Sequence, residues 1–213
     1  MILERLEVGP LMANCYIVGC DATQRGFIVD PGGDAERILD TVERLGLTID
    51  CIIDTHSHPD HVAANCAVRE GLNERQEASA KLIAHEDARP WIEQPPNYWL
   101  LLNMRPGACT IDATVTDGDE LTVGELTLRI LHLPGHSPGS IVLVMGDRAI
   151  TGDVLFAGGV GRTDFPGGDY DTLLASLKRL VTELPDETTI YPGHGPSSTI
   201  GEEKRTNEWL VGM

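Results

Sequence analysis

The segment His56-Ser57-His58-Pro59-Asp60-His61 places three of the chain's seven histidines and one aspartate within six residues. Imidazole and carboxylate donors at that density are what a site for divalent transition metals requires. The spacing adds direction. In extended backbone the side chains alternate with period two, so His56 and His58 face the same way. Pro59 disfavours helix at the residue before it and suits a first helical position itself. Asp60 and His61 then stand side by side at a helix start and approach from another angle. Two groups of donors converging from two directions suit two metal ions better than one.

The rest of the chain reads as short strands punctuated by helices. Cys15–Val18 and Gly26–Asp30 form a β-rich pair joined by a polar turn, which predicts antiparallel strands. A helix follows from Asp34, with Ile38, Leu39, Val42 and Leu45 at helical spacing and Gly46 as its C-cap. Ile49–Ile53 is a buried strand, and a helix is predicted from Asp60 to about Glu70. Lys81–His85 is another strand. Residues 86–112 read as an insertion with a short helix, and their aromatic stretch from Trp91 to Leu102 suits either a pocket wall or the core.

From Val115 onward the pattern is strand and turn, with strands at Leu121–Val123, Leu126–Leu133, Ile141–Val144 and Ala149–Ile150. Asp169–Leu184 is an amphipathic helix carrying Leu173, Leu174, Leu177, Leu180 and Val181 on one face. Thr188–Tyr191 is a strand and Thr199–Trp209 a terminal helix. There is no fixed-period repeat and no low-complexity linker, so one domain over residues 1–213 is expected. Two halves built this way predict a layered α/β sandwich.

Three further candidate ligands each follow a strand and are bracketed by glycine or proline. His136 lies in Gly135-His136-Ser137-Pro138-Gly139, Asp153 follows Gly152, and His194 lies in Tyr191-Pro192-Gly193-His194-Gly195-Pro196. Loops at strand ends are where rigid sheets present functional groups. His85 and His132 are expected to be structural. Asp30, in a strand-ending Asp-Pro-Gly-Gly, fits equally an Asx-turn or a partner that orients a ligand histidine.

The 213 residues carry 33 acidic against 16 basic side chains, a formal net charge of −17. A field of that sign repels phosphate backbones and anionic lipid, so neither nucleic acid nor a membrane surface is an expected partner. No stretch approaches the roughly 20 apolar residues of a membrane helix. The N-terminus lacks a basic segment and a long apolar run, so a cytoplasmic location is expected. The five cysteines are odd in number and form no CxxC, which predicts reduced, partly buried thiols.

The succession HxHxDH, GHSPGS, GDVLF and YPGHG resembles the metallo-β-lactamase fold superfamily, and within it the glyoxalase II-like hydrolases. The likeness runs from Asp30 to at least Gly195, with all seven metal-ligand positions filled. It implies an αββα sandwich with the metal site at one edge of the two sheets. It also implies one metal on His56, His58 and His136, a second on Asp60, His61 and His194, and Asp153 bridging them. Zinc is the first candidate, with iron or manganese possible. Paired divalent cations generate hydroxide at neutral pH for attack on a carbonyl. Asp60 would act as the catalytic carboxylate that orients the nucleophile. The expected substrate is a small thioester of the S-lactoylglutathione type.

The resemblance has gaps. The tyrosine two residues past the last ligand histidine in glyoxalase II enzymes is Pro196 here, and a second substrate tyrosine position is Asp164. Arg162 keeps a basic position and is a candidate for a substrate carboxylate, against a structural ion pair with Asp164 or Asp169. The short chain resembles a bacterial subgroup that lacks the C-terminal helical domain. The stretch Gly161–Phe165 also resembles persulfide dioxygenases of the same fold, which hold one iron on two histidines and one carboxylate. In that alternative His56, His136 and Asp153 would be the ligands.

Overall fold

The computed structural model describes residues 1–97, 99 and 108–212. Two six-stranded sheets face each other. The first runs in the order β1 (Ile2–Val8), β2 (Ala13–Gly19), β3 (Arg25–Val29), β4 (Thr48–Asp54), β5 (Lys81–His85) and β6 (Ala113–Val115). The second has β7 (Glu120–Val123), β8 (Leu126–His132), β9 (Ile141–Met145), β10 (Arg148–Gly152), β13 (Thr189–Pro192) and β14 (Ser198–Thr199), in the order β14-β13-β10-β9-β8-β7. Both sheets are mixed: β3–β4, β4–β5, β5–β6 and β10–β13 are parallel, the other pairs antiparallel. A separate hairpin of β11 (Leu155–Phe156) and β12 (Gly159–Val160) projects from the second sheet's end.

Three apolar layers follow from strand alternation. Val18, Phe27, Val29 and Ile53 meet Leu128, Ile130, Ile141 and Leu143 between the sheets. On the outer face of the first sheet, α1 (Ala35–Leu45) and α3 (Asn65–Arg75) lay Ile38, Leu39, Val68 and Leu72 over Ile17, Ile28 and Ile52. On the outer face of the second, α5 (Tyr170–Glu183) lays Leu173, Leu177, Leu180 and Val181 over Leu131, Val142 and Ile190. The order helix, sheet, sheet, helix is the layering that the sequence resemblance implies. β2 and β9 are covered on both faces, which is why ANCYIVG and IVLVM are buried at every position. In β4 a register shift opposite Gly26 and Phe27 lets Ile49 face the outer layer and Cys51 the inner one.

Several expectations shift at their edges. The helix expected from Asp60 is two helices, α2 (Pro59–Val62) and α3, broken at Ala63 and Ala64. The Ala64 N–H leaves the helical ladder to donate to the Pro31 carbonyl at 2.9 Å. Gly32 lies so close that a Cβ there would meet the Asp60 carbonyl at 1.5 Å. Asp34 precedes α1 as expected, but its side chain accepts from the Gly9 N–H instead of capping the helix. The terminal helix α6 spans only Ile200–Thr206. In the 86–112 insertion, α4 covers Arg89–Glu93; Tyr98 and residues 100–107 of the aromatic stretch lie outside the described residues. β1, an edge strand with charged residues on its open face, and the β11–β12 hairpin had no clear strand signal. Among the described residues no helix is long and apolar enough to cross a membrane.

The cysteine expectation needs correction. Cys66 and Cys109, 43 residues apart, form a disulfide, while Cys15, Cys20 and Cys51 are free and buried. The pairing arises because α3 and the chain returning from the insertion lie side by side, a proximity invisible in cysteine spacing. The link closes a long loop, so its main effect falls on the unfolded chain. The double variant Cys66→Ser/Cys109→Ser should lose about 2–4 kcal/mol of stability. Urea unfolding of oxidised protein beside the variant measures this, and coincident transitions would remove the cross-link from the stability account.

Candidate metal centre

The candidate ligands all follow the C-terminal ends of strands. Thr55–His61 follows β4, His136 follows β8, Asp153 follows β10 and His194 closes β13. The structure brings all seven together. His56, His58 and His136 form one group, with ring centroids 4.8 Å (His56–His58), 4.8 Å (His56–His136) and 4.4 Å (His58–His136) apart. Asp60, His61 and His194 form another. The His194 Nε2 is 3.2 Å from both Asp60 Oδ2 and His61 Nε2. In each group one ligand atom per residue lies within 4.8 Å of the others. Asp153 sits between them, 3.4 Å from His61 Nε2 and 3.7 Å from His136 Nε2.

A helix start and a proline turn produce this convergence. His58 is extended (φ −70°, ψ 143°) and Pro59 opens α2, so Asp60 and His61 turn in from the helix while His56 and His58 come from the loop. Gly193 is required by the crowding: a Cβ there would lie 2.1 Å from Asp153 Oδ1.

The outer nitrogens of three histidines are engaged, which leaves their Nε2 atoms facing inward. The His136 Nδ1 donates to the Arg162 carbonyl at 2.7 Å. His56 Nδ1 lies 3.0 Å from Thr55 Oγ1, whose hydroxyl donates to Asp30 Oδ2 at 2.6 Å. His61 Nδ1 lies 3.1 Å from Asp30 Oδ2. Asp30 also accepts from the Thr55 N–H at 2.7 Å, so its carboxylate reaches two of the candidate ligands. This is the orienting geometry, not an Asx-turn. Asp30, His56 and His61 also satisfy the distance test for a cation, but Asp30 touches His61 from its outer nitrogen and so stands behind the cluster.

The donor set fits a divalent cation on its own chemistry. His56 Nε2, His136 Nε2 and Asp153 Oδ1 are buried and have no hydrogen-bond partner among the described residues. Leaving such atoms unsatisfied is expensive, and a cation satisfies them together. Burial, followed by the neighbouring histidines, holds His56 and His58 well below the usual imidazole range, so both are neutral, as ligands must be. Burial opposes charge on His61, yet Asp153, Asp60 and Asp30 outweigh it and raise this ring to about 10. Burial alone would raise Asp60, but His61 and His194 hold it well below the carboxylate range. The carboxylates thus make a well for positive charge, where a metal ion would displace a proton.

The centre floors a cavity of about 440 Å³ walled by Leu11, Trp99, Phe156, Val160 and Phe165. Trp99 and Phe165 pack edge-on against His58, with centroids 5.2 and 5.5 Å away. The hairpin carrying Phe156 and Val160 is held by the buried Glu203 of α6, which accepts from the Gly158 N–H and Asn207 Nδ2, each at 2.8 Å. Arg162 also lines the cavity. Its Nε and Nη2 donate to Asp164 at 2.6 and 2.7 Å, and its guanidinium stacks 3.9 Å over Phe165. The ion pair to Asp164 is therefore present, and the pair to Asp169 is not. Trp99 had a sequence signal as part of the aromatic stretch, Phe156 as the end of GDVLF, and Arg162, Asp164 and Phe165 within Gly161–Phe165. The bonds of Thr55 to Asp30 and of Glu203 to Gly158 had none, because they span distant segments.

His85 and His132 stack at 3.7 Å with an 18° tilt, and Asp87 Oδ2 lies 3.7 and 3.9 Å from them. Nitrogen lone pairs lie in the ring plane, so stacked rings point past a shared ion. His85 Nδ1 accepts from the Asp87 N–H, and His132 Nε2 donates to the Pro138 carbonyl.

Asp30 has φ +52°, a conformation asparagine tolerates. Asp30→Asn should keep the backbone and still weaken metal binding about tenfold or more. Competition against a chromophoric chelator measures this; unchanged affinity would remove Asp30 from the centre.

The model of the metallo-beta-lactamase superfamily matches residues 8–194. The chain is 36% identical to the hydroxyacylglutathione hydrolase GloC of Haemophilus influenzae, covering 99% of this chain and 98% of that protein. Among solved structures, BLEG-1, a B3 metallo-beta-lactamase, superposes with a TM-score of 0.90 at 37% identity over 99% of this chain and 100% of that one. ETHE1 from Myxococcus xanthus gives 0.82 at 35% identity, over 100% of this chain and 85% of that one. TTHA1623, solved in a di-iron-bound form, gives 0.83 at 35% identity over 97% and 100%. With the ligand clusters in place and the family model spanning them, the chain belongs to the metallo-β-lactamase superfamily.

Proposed function

We propose that the chain hydrolyses small acyl thioesters, S-lactoylglutathione and its relatives first, at a two-metal centre. The observation that carries this reading is the position of Asp153 between two complete ligand groups, each with donors turned inward. His56, His58 and His136 would hold one divalent ion, Asp60, His61 and His194 the other, and Asp153 would touch both. Zinc suits this nitrogen and oxygen set, and the di-iron form of TTHA1623 makes iron the first comparison. Bound there, two divalent ions lower the pKa of water and polarise an acyl carbonyl.

The chain's own groups supply the rest. Asp60 remains anionic and shows 14% of its side chain to the cavity, so it can orient water and accept its proton. A thiolate leaves without needing a general acid, which fits the absence of an acidic donor among the described cavity residues. Trp99, Phe156 and Phe165 form dry walls for an acyl group. The likeness to the hydroxyacylglutathione hydrolase GloC over nearly the full length of both chains supports the thioester reading. Arg162, already neutralised by Asp164, is a weak carboxylate receptor as it stands.

The second reading is a one-iron dioxygenase on His56, His136 and Asp153, favoured by the Gly161–Phe165 stretch and the likeness to ETHE1. It leaves Asp60, His61 and His194 without a task, although Asp153 lies nearer His61 than His136.

Metal analysis of purified protein should find close to two ions per chain, with turnover across a panel of lactoylglutathione, acyl-CoA and β-lactam substrates strongest on a thioester. One iron with oxygen uptake on a persulfide would establish the dioxygenase instead. Asp153→Ala should lower kcat by roughly a hundredfold or more and reduce metal content; full activity would reject the shared-ligand role. Asp164→Asn should free the Arg162 guanidinium and lower KM for carboxylate-bearing thioesters by up to about tenfold. An unchanged KM would leave Arg162 as a support for Phe165.

A further inference from the structure

His194 differs from the other well-anchored histidines of the centre. His56, His61 and His136 each have an outer nitrogen bonded to a group behind them. Among the described residues, the ring of His194 bonds only to Asp60 and His61, which are themselves in the cluster. Its loop is also permissive by composition. Gly193 and Gly195 flank it, and Gly195 has φ +74°. A ligand on such a loop must be placed through its backbone.

The backbone is gripped from the opposite sheet. Asn14, fully buried near the start of β2, donates its Nδ2 hydrogens to the Pro192 and Gly195 carbonyls, each at 2.8 Å. Those carbonyls lie on either side of His194. The Asn14 main-chain N–H donates to the Gly193 carbonyl between them at 2.7 Å. Tyr16 adds its hydroxyl to the Pro192 carbonyl at 2.6 Å, and Arg5 Nη1 adds a bond to the Gly195 carbonyl at 2.8 Å. The amide orientation of Asn14 is settled by its partners, since a flipped amide would set its oxygen against two carbonyls. Its own oxygen is buried and has no partner among the described residues. Both hydrogens of this amide are thus committed to the His194 loop.

We infer that Asn14 is the positioning residue for His194, and that it sets the affinity of the Asp60–His61–His194 site without affecting that of His56–His58–His136. The inference rests on the two-metal reading. No contact of Asn14 reaches the first group, whose anchors are Thr55, Arg162 and the turn before α2. Replacing the amide by an apolar side chain of similar size removes the two amide bonds to the loop and keeps the main-chain, Tyr16 and Arg5 bonds.

The test is a titration of metal-free protein with Co(II), following ligand-field absorption and heat together, on the wild type, Asn14→Leu and Tyr16→Phe. The wild type should bind in two resolvable steps. Asn14→Leu should weaken one step by tenfold or more and change the other by less than twofold. Tyr16→Phe, which removes a single bond to the same loop, should move the same step in the same direction by a smaller factor. It keeps the inference testable if Asn14→Leu does not fold. Equal weakening of both steps, or of neither, would overturn the role of Asn14 while leaving the two-metal reading in place. A single step in the wild type would overturn both.

Discussion

The Asp30 carboxylate is the contact on which the centre depends. It accepts the Thr55 N–H and hydroxyl and meets His61 Nδ1, so one group at the end of β3 fixes the loop after β4 and the first helix beyond it. Through Thr55 it also reaches His56. The parallel pairing of β3 and β4 makes this reach possible, because it delivers both strand ends to the same edge. The second sheet repeats the device with the parallel pair β10 and β13, whose ends carry Asp153 and His194. These two parallel pairs bring Asp30 and three of the candidate-ligand segments to one edge, and the segment after β8 adds His136.

Burial and charge act in opposite senses at that edge. Burial pushes His56 and His58 well below the usual imidazole range, while three carboxylates raise His61 against it. Neutral imidazoles beside anionic carboxylates form a cation site whose selectivity rests on geometry more than on raw affinity. The molecular charge of −17 has another origin. Two divalent ions would offset only four of those charges, so most of the acidic excess lies away from the centre. An anionic substrate gains no long-range steering from it, and the one basic side chain among the described cavity residues is already paired with Asp164. Recognition therefore falls on the centre itself and on the aromatic walls.

The candidate ligand positions stood out in the sequence because each lies in a local motif. HxHxDH combines period-two alternation with a proline-started helix, and the three later ligands sit in glycine-bracketed turns after apolar strands. The layered α/β architecture followed from short strands alternating with amphipathic helices. The role of Asp30 stayed open, because an Asx-turn and an orienting carboxylate share the same local pattern. Arg162 likewise had two readings until its bonds to Asp164 were seen. The disulfide was misread because cysteine count and spacing carry no information on which segments become neighbours.

Sequence by itself determined the donor set, since the chemistry of a residue and its near neighbours travel with it along the chain. Tertiary structure decided how those donors are divided and held. Asp153 lies between two groups only because β10 ends opposite β4 across the sandwich. The loop of His194 is held by Arg5, Asn14 and Tyr16, more than 170 residues earlier in the chain, which donate to its carbonyls. Contacts of that separation depend on sheet pairing and close packing, which no local pattern encodes.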